Sequence, residues 1–98
     1  MSKFKELIDG STAVLVDMYA DWCGPCKALA PELKTLKQSV GDKVKIIKID
    51  VDKNTEVANK FNVRGVPTMI LFKEGKILWR QSGVMDTAAI EKEIESFL

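Results

Sequence analysis

Residues 12–27 read TAVLVDMYADWCGPCK, and their order decides the fold. The run TAVLVDMYA (12–20) is almost wholly β-branched or apolar, the pattern of a strand covered on both faces. Directly after it stand the chain's only two cysteines, Cys23 and Cys26, with Gly24 and Pro25 between them. CKALAPELKTLKQSV (26–40) follows, with Leu29, Leu33, Leu36 and Val40 at helical spacing, Lys34 and Lys37 on the far side, and Gly41 as a stop. Pro31 falls inside that helix and is expected to kink it. A buried strand thus runs into an amphipathic helix through a dithiol loop.

Working outward, Ser2 to Asp9 fits a short helix with Phe4, Leu7 and Ile8 on one face and Gly10 as its stop. KVKIIKIDV (43–51) reads as a second strand. Asn54 is expected to cap a short helix whose inner face is Val57, Ala58 and Phe61. PTMILF (67–72) and KILWRQ (76–81) flank Glu74-Gly75 and are expected to pair as a hairpin. Asp86 fits the cap of a last helix with Ile90, Ile94, Phe97 and Leu98 on one stripe. Strand–helix–strand at the front implies parallel pairing, and the hairpin at the back implies antiparallel pairing. The expected architecture is α/β, a mixed central sheet with helices on both faces. No repeat, linker or low-complexity stretch divides it.

Ninety-eight residues suffice for one domain with one core, so residues 1–98 are expected to form a single domain. Fifteen basic residues against fourteen acidic ones leave a net charge of +1, with no basic or acidic block to hold nucleic acid or an anionic membrane. No apolar run approaches the roughly 18 residues of a membrane span. MSKFKELIDG, at the start, has charges throughout and no apolar h-region, so no export signal is read there and a cytoplasmic location is expected.

A Cys-Gly-Pro-Cys pair has three uses. Structural zinc asks for four Cys or His ligands, and this chain offers two cysteines and no histidine. A structural disulfide gains little from so small a ring: the chain-entropy estimate is about 2 kcal/mol for four residues against about 3 for fifteen. Redox exchange fits the position. A thiol at a helix N-terminus faces free N–H groups and the positive end of the dipole, which favours its thiolate. Pro25 suits the first helical turn, where a missing N–H costs nothing. Cys23 is then expected to be the exposed attacking thiolate, and Cys26, one turn in, the shielded thiol that resolves.

With those residues in view, VDMYADWCGPCK (16–27) resembles the active-site segment of the thioredoxin family, and RGVPT (64–68) resembles its second signature loop. The order of elements agrees from about Ala13 onward. The resemblance implies the thioredoxin fold, here expected with four strands because the family's N-terminal edge strand has no counterpart. It implies a protein-disulfide reductase that cycles through a Cys23–Cys26 disulfide, binds no cofactor, works as a monomer on oxidised protein substrates, and is recycled by a thioredoxin reductase drawing on NADPH through a flavin. Asp17, a charge inside an apolar strand, resembles the family's buried Asp, expected to carry a raised pKa and to take the proton of Cys26. Lys48 either snorkels at the surface or, as the resemblance implies, sets its ammonium near Asp17.

The remaining site expectations concern substrate. The resemblance implies a cis Val66-Pro67 bond facing the cysteines, with the Val66 backbone free to pair with an extended substrate. Trp22 is expected to be a flat apolar docking edge, with Gly24, Pro25 and Gly83 completing the contact surface. Gly65 and Gly83 are read as places of close backbone approach or as plain turn glycines. Trp79 is read as packing. Two departures from the family stand out: Tyr19 where Trp is frequent, and Ser82 before Gly83 where an apolar residue is common. Two other readings remain: a thiol oxidase or isomerase, and a binding module in which redox activity is incidental.

Overall fold

In the computed structural model, which describes residues 1–98, β1 (Ala13–Tyr19) lies inside a four-stranded sheet. It pairs in parallel with β2 (Val44–Asp50) on one side and antiparallel with β3 (Thr68–Lys73) on the other, and β4 (Lys76–Ser82) closes the far edge as the hairpin partner of β3. The spatial order is β2-β1-β3-β4, which contains the parallel front pair and the hairpin read from the sequence. The long α2 (Gly24–Val40) makes the crossover from β1 to β2. The shorter α1 (Ser2–Ile8), α3 (Thr55–Lys60) and α4 (Thr87–Ile94) precede, interrupt and follow the strands.

Alternation along the strands builds two cores. Ala13 and Leu15 of β1, Val44 of β2, and Met69 and Leu71 of β3 face α2 and α4, where they meet Leu29, Leu33, Leu36, Val40, Ile90 and Ile94. Val14, Val16 and Met18 face the other way, with Ile70 and Phe72, onto Phe4 and Ile8 of α1 and Val57 of α3. The helical stripes read from sequence supply the buried faces seen here, except that Leu7 (48% exposed) and Leu98 (41% exposed) stand outside the core. Glu32 of α2 ties the loop before α4 in place, accepting from Thr87 N at 2.8 Å.

Two local features differ in detail from expectation. Asn54 makes no side-chain cap for α3; its Nδ2 donates instead to Asp50 O at 2.9 Å, bridging the end of β2 to the helix start. Pro31 sits inside α2, which runs unbroken from Gly24 to Val40. The β3–β4 register slips between Leu71 and Phe72, where β4 fits Leu78 in as an extra residue. That bulge turns both Leu78 and Trp79 toward the α2 and α4 core, so Trp79 packs as read, and its Nε1 donates to Glu93 Oε1 at 3.3 Å. Asp86 caps α4 as expected, accepting from Ala89 N at 2.8 Å. The hairpin turn has positive φ at both Glu74 (53°) and Gly75 (77°), the geometry that matches strand twist.

Candidate active site

The site is built where β1 stops. Tyr19 ends the strand, Ala20 O accepts from Cys23 N at 3.1 Å to form a turn, and Gly24 opens α2. Cys23 is the N-cap: its Sγ accepts from Cys26 N at 3.1 Å, in the place a serine or aspartate oxygen would take. Pro25 occupies the first helical turn. Cys23 and Cys26 are joined as a disulfide. The same N–H and helix dipole that meet Cys23 Sγ here would stabilise its thiolate once the bond is reduced.

Burial corrects one expectation. Cys23 is not the exposed partner in this oxidised state; it is 3% accessible and Cys26 4%. Both pack with Ala20, and Tyr19, Val51 and Val66 close around them. Cys23 is covered from one side by the loop before β3, whose Val66 O lies 3.6 Å from its Sγ. The Val66-Pro67 peptide is cis, as the resemblance implied, and Pro67 is buried. Gly83 N donates to Pro67 O at 2.9 Å, which brings the loop after β4 to the same place. A Cβ on Gly83 or Gly65 would meet nothing within 4 Å, so neither serves close approach; Gly83 has φ +94°, whereas Gly65 has no such constraint.

Trp22 is 71% exposed beside the disulfide. Its indole Nε1 donates to Asp52 Oδ2 at 2.8 Å, and its ring borders a small groove with Val63, Arg64 and Val66. Asp52 was not foreseen. No local pattern links positions 22 and 52; the register does, since Tyr19 pairs with Asp50 and the turns that follow both strands therefore meet. Val84 is a second missed residue, an exposed apolar side chain next to Gly83.

Asp17 is fully buried. Its two-residue spacing from Ala13 and Leu15 puts it on the α2 side of the sheet, the side on which Cys26 enters the helix. Neither carboxylate oxygen has a hydrogen-bond partner. Desolvation by burial pushes its pKa from 3.8 up to about 6, and the Lys48 charge pulls the other way. Lys48 pairs with Asp17 in the β1–β2 register but remains exposed, with its ammonium 4.5 Å from the centre of the Tyr19 ring. Both readings of Lys48 therefore hold in part: it reaches solvent, and its field still reaches Asp17. No cluster of three or more His, Cys, Asp or Glu side chains is placed to hold a metal ion, and no helix is long and apolar enough to cross a membrane.

Comparison with known proteins agrees with this geometry. The family model described as Thioredoxin matches residues 1–96. "Thioredoxin Y, chloroplastic" of Oryza sativa subsp. japonica is 42% identical over 98 residues, which cover 99% of this chain and 58% of that protein. The thioredoxin of Bacillus subtilis (strain 168) is 44% identical over 85 residues, covering 87% of this chain and 82% of the relative. Among solved structures, mitochondrial thioredoxin 3 from Saccharomyces cerevisiae in its oxidized form superposes with a TM-score of 0.87 at 36% identity, covering 97% of this chain and 88% of that one.

Proposed function

The chain belongs to the thioredoxin family, and from that membership we propose that it is a thiol–disulfide oxidoreductase that reduces protein disulfides through Cys23 and Cys26. The observation that carries this reading is the placement of Cys23 Sγ at the α2 N-cap, on Cys26 N, beside an exposed indole. In the reduced protein the Cys23 thiolate attacks one sulfur of a substrate disulfide. The substrate S–S bond breaks, a mixed disulfide forms, and the first substrate thiolate leaves and takes up a proton. Cys26 then gives its proton to the Asp17 carboxylate, directly or through water, and its thiolate attacks Cys23 Sγ. The mixed disulfide breaks, the Cys23–Cys26 bond forms, and the second substrate thiolate leaves and takes up a proton as Asp17 returns its own to water. Two electrons and two protons have passed to the substrate.

The roles of the surrounding residues follow the same reading. Lys48 tunes Asp17 through its charge. Trp22, Gly24, Pro25, Val66, Pro67 and Gly83 form the surface that receives a substrate strand, with the Val66 backbone beside the attacked bond. Oxidised proteins are the substrates. A thioredoxin reductase, using NADPH through its flavin, restores the dithiol. The protein acts as a monomer in the cytoplasm.

The deciding experiment is the equilibrium of the Cys23–Cys26 pair against graded glutathione buffers, read by Trp22 fluorescence. A disulfide that survives a large excess of reduced glutathione belongs to a strong reductant. One lost in mildly reducing buffer would assign the protein to oxidation or isomerisation instead.

A further inference from the structure

Two grooves meet where α2 crosses the outer strand β2. The first, about 230 Å³, starts at Cys26 and includes Asp21, Lys27, Ala30 and Lys48. The second, about 320 Å³, is lined by Ala30, Leu33, Lys34, Lys37, Ile46 and Lys48. Because they share Ala30 and Lys48, they form one track that leads from the disulfide along α2. Its floor is apolar, from Ala30, Leu33 and Ile46. Its rim carries four exposed lysines, Lys27, Lys34, Lys37 and Lys48, against the single acid Asp21.

None of these lysines makes a salt bridge, although the field of Lys48 reaches the buried Asp17. The only ion pair of the molecule joins the Met1 amino group to Glu56 at 3.9 Å. Lys37 Nζ donates to Gly41 O (2.7 Å) and Val44 O (2.9 Å), which fixes its charge at the end of the track. The chain as a whole is only +1, so four unpaired cations along one groove are a local concentration and not a property of a basic protein. β2 has no neighbour on its outer side, so an extended chain can enter beside it. A second copy meeting this face two-fold would set lysine against lysine.

We propose that the track is a docking site for an acidic, extended segment of a protein partner. One apolar side chain of the segment settles over Ala30 and Ile46, and carboxylates on either side of it face Lys34, Lys37 and Lys48. The site is distinct from the surface around Trp22 and Val66, and it lets a partner be held by charge while its disulfide is presented to Cys23.

The test uses a fluorescein-labelled nine-residue peptide of Glu and Asp with one central Leu and no cysteine, so that binding is separate from disulfide exchange. Anisotropy with the oxidised protein should show binding that weakens about threefold between 0.05 and 0.3 M salt. Lys34→Glu should weaken it about fivefold, and Lys34→Gln less. Ala30→Gln, which keeps every charge but extends a side chain into the track, should abolish it. Position 34 is exposed, so its variants should fold, and all three should still reduce a small-molecule disulfide at the parental rate. Three results overturn the proposal: polyglutamate without the Leu binds equally well; binding is unchanged by Ala30→Gln; or sedimentation shows a dimer that Ala30→Gln dissociates, which gives the track to a second copy.

Discussion

β1 sends its side chains to two different environments. Toward α1 and α3 it presents Val14, Val16 and Met18, and they close on an aromatic trio, Phe4, Phe61 and Phe72, with ring centres 5.2–5.8 Å apart. Toward α2 and α4 it presents Ala13, Leu15 and then Asp17, whose two oxygens touch no donor. One face is satisfied throughout and can only pack. The other contains an unsatisfied carboxyl under the helix that carries the thiols. Reactivity in this molecule is concentrated where the core is least content, and the packed face gives the rigidity that holds the carboxyl there.

The sharpest separation of the two faces comes from deleting one group on each. Cys23→Ser should abolish turnover of protein disulfides and leave thermal stability close to that of the reduced parent, since a serine oxygen caps a helix as well as sulfur does. Phe72→Ala should do the reverse. Phe72 is fully buried, and its loss should cost about 3–5 kcal/mol. Urea unfolding of the reduced proteins, combined with turnover per folded molecule below the transition, reads both effects. A Phe72→Ala protein that stays folded but turns over tenfold more slowly would break the division between a packing face and a reacting one.

Asp17→Asn probes the reacting face alone. With an ordinary carboxylate pKa in the unfolded chain and about 6 in the folded one, Asp17 takes up a proton on folding between roughly pH 4 and 6. Below that window both states are protonated and the residue carries no charge penalty. As pH rises through it, the unfolded state ionises first, so stability falls, and above about pH 6 the loss is constant. At pH 7 the penalty is about 3 kcal/mol. Asparagine removes the charge but keeps two polar atoms that need partners, so the gain in stability should be about 1–2 kcal/mol at pH 7 and should vanish near pH 4. Turnover should meanwhile slow about tenfold or more, because Cys26 loses its proton acceptor. Parental turnover at neutral pH would remove Asp17 from the mechanism.

The two faces were legible in the sequence to different depths. Alternation along 13–18 and the leucine spacing along 29–40 give the two cores directly, because period alone assigns a side chain to a face. Asp17 could be read for the same reason: a charge inside an apolar run must be buried or must end the strand. The β4 bulge at Leu78 could not be read, since KILWRQ alternates no differently with or without one. Nor could the Trp22–Asp52 hydrogen bond, which depends on the β1–β2 register across thirty positions. The shielding of Cys23 was missed because it comes from Val66, forty-three residues away, and not from the helix that its own motif begins.

The finest test concerns the one charge that reaches across the boundary. Lys48 stands in solvent, yet it is the only cation that holds down the pKa of Asp17. Replacing it with Met keeps the stem on β2 and removes the field. The pKa of Asp17 should rise above its present value of about 6, and the pH at which turnover reaches half its maximum should move up with it. The move should be well under one pH unit, since an exposed ammonium acts through water. Stability at pH 7 should fall slightly, because the buried carboxylate loses its only counter-charge, while at pH 4, where Asp17 is neutral, it should match the parent. A uniform loss at both pH values would mean that the Lys48 ammonium matters through its contact with the Tyr19 ring, and the line between the two faces would then run through β2 instead of β1.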